Sequence, residues 1–214
     1  MTGQTQRIVF LSGLGQRPEV WDAVRASLPA GFAGEAAIIP GLHDQREFSL
    51  AAARDELLDT AAAHGPVHLC GLSLGAVIAL AAAVERPERI ASLVLSGAQF
   101  RLDPRLMRLQ RGLLRVLPER FVAPVGMDRR RMLSVLAALE GLDLGAGLER
   151  VRVPTLALCG ARDRANLPAA RALAQRLPRA ELQIVPRAGH EWNRTMPDAF
   201  AARLGAFLRE LPEH

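Results

Sequence analysis

The sequence predicts an α/β protein: a doubly wound, mostly parallel sheet covered by helices on both faces, with a helical cap inserted between its fourth and fifth strands. Three observations predict it. Short apolar runs alternate with helical patterns along most of the 214 residues, the signature of repeated strand–helix units. The runs lack polar alternation, so each strand is buried on both faces. The alternation stops once, for more than fifty residues after Gly97, and resumes at Thr155.

The elements follow in order. Arg7–Leu11 reads as the first strand and Glu19–Leu28 as a helix. Ala36–Ile39 reads as the second strand, and Leu50–Ala63 as its helix. Val67–Cys70 is the third strand, followed by an Ala-rich helix from Leu74 to Val84. Ile90–Leu95 is the fourth strand. Thr155–Cys159, the helix Ala169–Leu177, the strand Leu182–Val185 and the helix Asp198–Leu208 complete the pattern. In the insert, Asp103-Pro104 forms an N-cap with Pro at the first helical position. The helix it opens carries Leu106, Leu109, Leu113 and Leu117 on one side, and Arg105, Arg108, Arg111 and Arg115 on the other. A second helix is expected from Asp128 to Leu139. The chain therefore divides into a core, residues 1–98 and 151–214, and a cap, residues 99–150.

Composition removes several chemistries. All 27 basic residues are Arg; there is no Lys and no Tyr. Without Lys there is no Schiff-base nucleophile, no pyridoxal anchor and no Gly-Lys-Ser/Thr phosphate loop. Without Tyr there is no phenolic acid or base. The formal charge of +5 raises nucleic-acid binding as a class. The 4% aromatic content weighs against stacking on single strands, and exclusive use of Arg fits a GC-rich genome. No nucleic-acid partner is expected. From Arg101 to Arg131, however, nine Arg face three acids, while the rest of the chain has 18 Arg against 19 acids. The cap carries the excess. Arg105, Arg108, Arg111, Arg115, Arg129, Arg130 and Arg131 form a candidate anion-binding surface for a carrier such as coenzyme A or an acyl carrier protein, or for an acidic lipid surface. The bland alternative is a solvated basic face.

No stretch approaches the roughly 18 apolar residues of a membrane helix, and the first residues lack the pattern of a signal peptide. A cytoplasmic protein is expected. Cys70 and Cys159 are too few for a zinc site or a disulfide framework. They end strands separated by a third, so two free thiols are expected. Gly13-Leu-Gly15 fails as a dinucleotide loop because Pro18 holds the third Gly position. His190-Glu191 opens a zinc-protease pattern that Arg194 breaks. No metal or cofactor is expected.

Gly71-Leu-Ser-Leu-Gly75 joins a strand to a helix of small residues. A nucleophile on such a turn sits in strained backbone and needs small neighbours, which Gly71, Gly75 and Ala76 supply. The N–H of Leu74 then points at a developing oxyanion. A Ser nucleophile needs a base, and the base an orienting group. His64 and His214 are expected to face solvent, and His68 reads as a satisfied core residue. His43 and His190 follow strands, where sites on open α/β sheets collect. Asp163 follows the fifth strand in the same way.

These residues resemble the α/β-hydrolase superfamily across nearly the whole chain. Leu11-Ser-Gly-Leu-Gly15 is similar to its oxyanion loop, with Trp21 in the packing position beyond. Pro40-Gly41, Ser73 and Pro87-Glu-Arg-Ile90 match its further landmarks. Ser73, Asp163 and His190 fall in its nucleophile, acid, base order. The resemblance implies those roles, and it implies a second oxyanion donor at the N–H of Leu14. Ser12 departs from the family's usual His, which alters the support of the loop. The family often begins with a hairpin; this sequence starts at the strand, so six strands in the order 2-1-3-4-5-6 are expected. Ser73 at the elbow excludes the Asp-nucleophile dehalogenase and epoxide-hydrolase chemistries. Ser12, Gly13, His43, Leu72 and Trp192 are candidate pocket residues. The expected function is hydrolysis of an ester or thioester of a small to medium apolar acyl group. C–C bond hydrolysis with the same triad, or a non-catalytic receptor, are the alternatives.

Overall fold

The structure is a computed structural model that describes residues 5–117 and 127–212. Six strands form one sheet in the order β2-β1-β3-β4-β5-β6, with every pairing parallel. They are β1 (Gln6–Leu11), β2 (Phe32–Ala36), β3 (Val67–Leu72), β4 (Ile90–Ser96), β5 (Thr155–Gly160) and β6 (Ala180–Val185). The expected order is observed. β3 and β5 are buried at every residue, which is why their apolar runs show no alternation.

Two apolar layers hold the sheet. On one face pack α2 (Leu50–His64), α3 (Leu74–Glu85) and α6 (Leu167–Arg176), together with residues of the insert. On the other pack α1 (Asp22–Arg25), α7 (Trp192–Thr195) and α8 (Pro197–Arg209). Phe10, Trp21, Phe200 and Trp192 form a chain of rings there, with successive centroids 5.2, 5.1 and 4.4 Å apart. Such contacts add about 0.5–1.5 kcal/mol each beyond their burial. This chain fixes the segment that follows His190.

Two elements differ from expectation. The second strand is Phe32–Ala36, not Ala36–Ile39. β2 is an edge strand, only partly buried, and its ladder to β1 runs from Gln6↔Phe32 to Phe10↔Ala36. Gly34 sits in that ladder because a Cβ there would come within 2.8 Å of Phe10 and Leu28. The more apolar run continues past the ladder, where Ile38 is 57% exposed. The helix expected over Glu19–Leu28 is shorter. A 3-10 turn over Pro18–Trp21 leads into α1, and Ser27 and Leu28 then bond three residues back before Pro29.

The insert holds α4 (Pro104–Val116) and α5 (Arg129–Ala138). The Asp103 and Asp128 carboxylates cap them, accepting from the N–H of Arg105 and Arg131. Met107, Met132, Val135, Leu136 and Leu139 join the sheet's own apolar layer. Three of the four leucines expected in one row do not: Leu106, Leu109 and Leu113 are 56–70% exposed, as is Val116 beside them at 78%, while Leu117, just past α4, packs against that layer.

Candidate active site

The site is assembled from the carboxyl ends of β1, β3, β4, β5 and β6. Ser73 lies between β3 and α3 with φ 54° and ψ −117°, a conformation that costs roughly 1–3 kcal/mol for a non-glycine residue. Its surroundings impose that conformation. The Ser73 N–H donates to Ser96 O at 2.8 Å, and its carbonyl accepts from Val77 N–H at 3.0 Å. A Cβ on Gly75 would lie 2.1 Å from Leu11 O, and one on Gly71 2.5 Å from Ala76 N. Only glycine lets the helix start this close to β1.

Asp163 and His190 are brought together by the turns after β5 and β6. Gly160 allows the contact, since a Cβ there would sit 2.4 Å from Gly189 O. His190 Nδ1 is 2.7 Å from Asp163 Oδ2. The carboxylate belongs to a residue only 8% exposed and can only accept, so Nδ1 carries the proton and Nε2 is the basic nitrogen. Gly97, at φ 59°, lies against the imidazole; a Cβ there would be 3.0 Å from Cε1. Trp192 Nε1 donates to Ser96 Oγ at 2.8 Å. Ser96 thus ties the Ser73 elbow, through its carbonyl, to the His190 segment, through its hydroxyl. The Ser73 hydroxyl is not hydrogen-bonded to His190. Nucleophile–base contacts commonly tighten only with substrate in place.

The loop after β1 is held by amides. Gln16 Oε1 accepts from Gly13 N–H and from Asn193 Nδ2, each at 3.2 Å, and Gln16 Nε2 donates to Asn193 Oδ1 at 3.3 Å. His43 Nδ1 accepts from Ile39 N–H at 3.0 Å, so its Nε2–H donates to Gln16 O at 3.1 Å. Burial, the largest influence, lowers the His43 pKa below its ordinary value. The N–H groups of Leu14 and Leu74 have no acceptor among the described residues, which leaves two donors for an anion.

Several sequence-predicted residues support the site and do not line it. Ser12 is fully buried, with its hydroxyl on Arg17 O at 3.3 Å. Leu72 and Trp192 are buried, as is Gly13; none has the exposed face that a pocket residue needs. His43 is a bracket for the Gln16 loop. His68 is satisfied inside the sheet by Ser92 Oγ at 2.8 Å and Gln6 Oε1 at 2.7 Å. The side chain of His64, and His214, lie outside the described residues. Cys70 and Cys159 are free and buried. Burial raises both thiols, Cys159 to about 11, so neither is a reactive thiolate. The arginines of the insert divide. Arg108 and Arg111 pair with Glu140 at 3.4 and 2.5 Å. Arg129 caps α4 by donating to Arg115 O and Leu117 O, and Arg131 donates to Asp44 O. The guanidinium groups of Arg105, Arg115 and Arg130 have no partner among the described residues.

The sequence reading missed Ser96, Gln16, Asn193, Asn166 and Gln99. Asn166 and Asn193 each follow a site residue by three positions, at the start of a helix. That spacing was the one available signal.

The model of the Alpha/beta hydrolase family matches residues 8–203. The chain belongs to that family. A pimeloyl-acyl-carrier-protein methyl ester esterase of Aromatoleum aromaticum is 33% identical over 86% of this chain and 90% of its own length. A Caulobacter protein (strain K31), provisionally named carbamate hydrolase RutD, is 29% identical over 66% of this chain and 65% of its own length. The enol-lactonase of Burkholderia xenovorans LB400 has the same fold, with a TM-score of 0.83 at 21% identity, covering 97% of this chain and 93% of that one. This α/β hydrolase is an enzyme of the hydrolase class. Among the described residues, no helix is long and apolar enough to cross a membrane.

Proposed function

We propose that this α/β hydrolase cleaves an ester or thioester of a small to medium apolar acyl group through an acyl-enzyme on Ser73. The observation that carries the reading is the 2.7 Å bond between His190 and the buried Asp163, at the same sheet end as the strained Ser73. His190 Nε2 takes the hydroxyl proton as Ser73 Oγ bonds to the carbonyl carbon. Asp163 holds the tautomer and stabilises the imidazolium. The N–H groups of Leu14 and Leu74 receive the oxyanion, each worth about 3–4 kcal/mol in comparable sites. Collapse breaks the bond to the leaving alkoxide or thiolate, which takes the proton from His190. Water, activated by the same base, then releases the acid.

The insert, residues 99–150, serves in this reading as the cap that receives the acyl donor. Arg105 and Arg115, without a partner among the described residues, border the exposed row Leu106, Leu109, Leu113 and Val116 on α4, with Arg130 on the neighbouring helix. A basic and apolar face of this kind fits an acidic carrier protein, and the relatives named for an acyl-carrier-protein ester support that partner.

A fluorophosphonate probe tests the chemistry. It should label the wild type and not Ser73→Ala; an unlabelled wild type would overturn the reading. Methyl esters on acyl carrier protein, acyl-CoA thioesters and p-nitrophenyl esters, compared across salt, then bound the substrate. Carrier substrates should lose kcat/KM with salt and p-nitrophenyl esters should not.

A further inference from the structure

Asn166 sits in the turn after β5, at the start of α6. Its Nδ2 donates to both oxygens of the Asp163 carboxylate, at 2.9 and 3.0 Å. Nδ2 also lies 3.2 Å from His190 Nδ1. Nδ1 already carries a proton directed at Asp163, so that last contact sets two donors side by side and is not a bond. Asn166 Oδ1 in turn accepts from Gln99 Nε2 at 2.8 Å. Gln99 follows β4, where the chain enters the insert. The amide orientation is forced: turned over, Asn166 would face the carboxylate with its own oxygen and Gln99 with its own N–H.

We propose that Asn166, oriented by Gln99, is a positioning residue for the Asp163–His190 pair, holding the carboxylate in line with Nδ1 and tempering its pull on the imidazolium. The inference rests on the serine-hydrolase reading given above. Two roles follow from the geometry. A carboxylate on a single short side chain can rotate, and a donor to each oxygen restrains it. The same donors take up part of its negative charge, and the N–H dipole faces the imidazole. Both effects weaken the hold of the carboxylate on a positively charged imidazole. The other titratable groups nearby are few. The Cys159 thiol, neutral at its raised value of about 11, has its Sγ 3.9 Å from Asp163 O and faces Arg171. Glu191 is paired with Arg194 at 3.0 Å, and Arg162 and Arg164 flank Asp163 with exposed side chains.

The test is the pH dependence of Ser73 labelling and of p-nitrophenyl ester turnover in wild type, Asn166→Asp and Gln99→Leu. Asn166→Asp keeps the size and replaces the donor with a second acid. Its acid limb should move up by about one pH unit, with kcat down about tenfold or more and KM little changed. Gln99→Leu frees the amide to turn and should give the same changes at smaller size, with Asn166→Gln recovering part of the Asn166→Asp loss. Melting temperatures check that each variant is folded. Loss of kcat without movement of the acid limb in a folded variant, or no change at all, overturns the inference. If the wild type itself fails to label, the serine-hydrolase reading falls first and takes the inference with it.

Discussion

The end of the sheet and the insert beside it are both rich in polar side chains, yet they use them differently. At the sheet end the buried polar groups bond to one another in closed sets: Gln16 with Asn193 and Gly13, and Asp163 with His190 and Asn166. In the insert, some arginines bond inward to Glu140 and to helix carbonyls, and others have no partner among the described residues. A polar residue type therefore says little about its role; its partners decide. Where a group is bonded inside, replacing it costs stability or catalytic geometry. Where it is free, replacement should affect recognition alone.

The sharpest break of this comparison falls at Ser73, the proposed nucleophile. On that proposal, Ser73→Ala or His190→Ala should lower the turnover of an activated ester by at least about 10⁴-fold, as loss of a triad member does in serine hydrolases. Ser73→Ala should keep its melting temperature, because the Ser73 side chain makes no hydrogen bond among the described residues, whereas His190→Ala removes a partner of the buried Asp163 and should lower it. A folded Ser73→Ala protein that retains its turnover would show that the chemistry lies elsewhere.

Gly75 comes next. An Ala Cβ there would meet the Leu11 carbonyl at 2.1 Å, and backbone on both sides cannot yield as a side chain can. Gly75→Ala should destabilise by more than about 4 kcal/mol, among the largest single-site effects. Denaturant unfolding measures it. Gly112→Ala, with nothing within 4 Å of the added carbon, is the control in the insert and should stabilise α4 by up to about 1 kcal/mol.

His43 gives a smaller, pH-dependent effect. Burial lowers its folded value, and Nδ1 must stay unprotonated to accept from Ile39 N–H. The unfolded chain takes up the proton first, near the ordinary value of about 6.5. The stability His43 contributes is thus present above that pH and is lost as pH falls from there toward the lowered folded value. Melting temperatures at pH 7.5 and 5.5 should differ less in His43→Gln than in the wild type. An identical acid loss in both proteins would remove His43 from the account.

How much of this was legible in the sequence depended on the kind of signal. The central strands were legible because burial on both faces leaves unbroken apolar runs. β2 lies earlier than expected because an edge strand needs only one buried face, so Phe-Ala-Gly-Glu-Ala pairs, and Ala37 adds one last bond to Phe10 O, while the more apolar Ile38-Ile39 lies beyond the ladder. The meeting of Asp163 with His190, and the strained turn at Ser73, were legible because such turns and strand ends carry a local pattern, to which the family resemblance added the proposed roles. Asn166, Gln99, Gln16 and Asn193 were not. A single amide has no periodicity, and its partner can lie 177 residues away, as Asn193 does from Gln16. The arginine excess was visible, but which arginines were occupied was not.

That division of the arginines gives the smallest and most discriminating prediction. Arg129 and Arg115 are the same residue type on adjacent helices of the insert. Arg129 satisfies carbonyls at the C-terminal end of α4, at 2.9 and 2.5 Å, where a helix leaves its last acceptors unpaired. Arg129→Gln should cost about 1–2 kcal/mol, as the loss of charge-assisted bonds does, and should weaken carrier substrates only through that loosening. Arg115→Gln should leave stability within about 0.5 kcal/mol, the usual range for an exposed site. It should raise KM for an acyl group carried on acidic protein, with less effect at high salt, and leave small esters unchanged. Each single variant separates stability from recognition in the opposite sense. If both variants lowered stability equally, or neither altered carrier KM, the division between bonded and free arginines would carry no functional meaning.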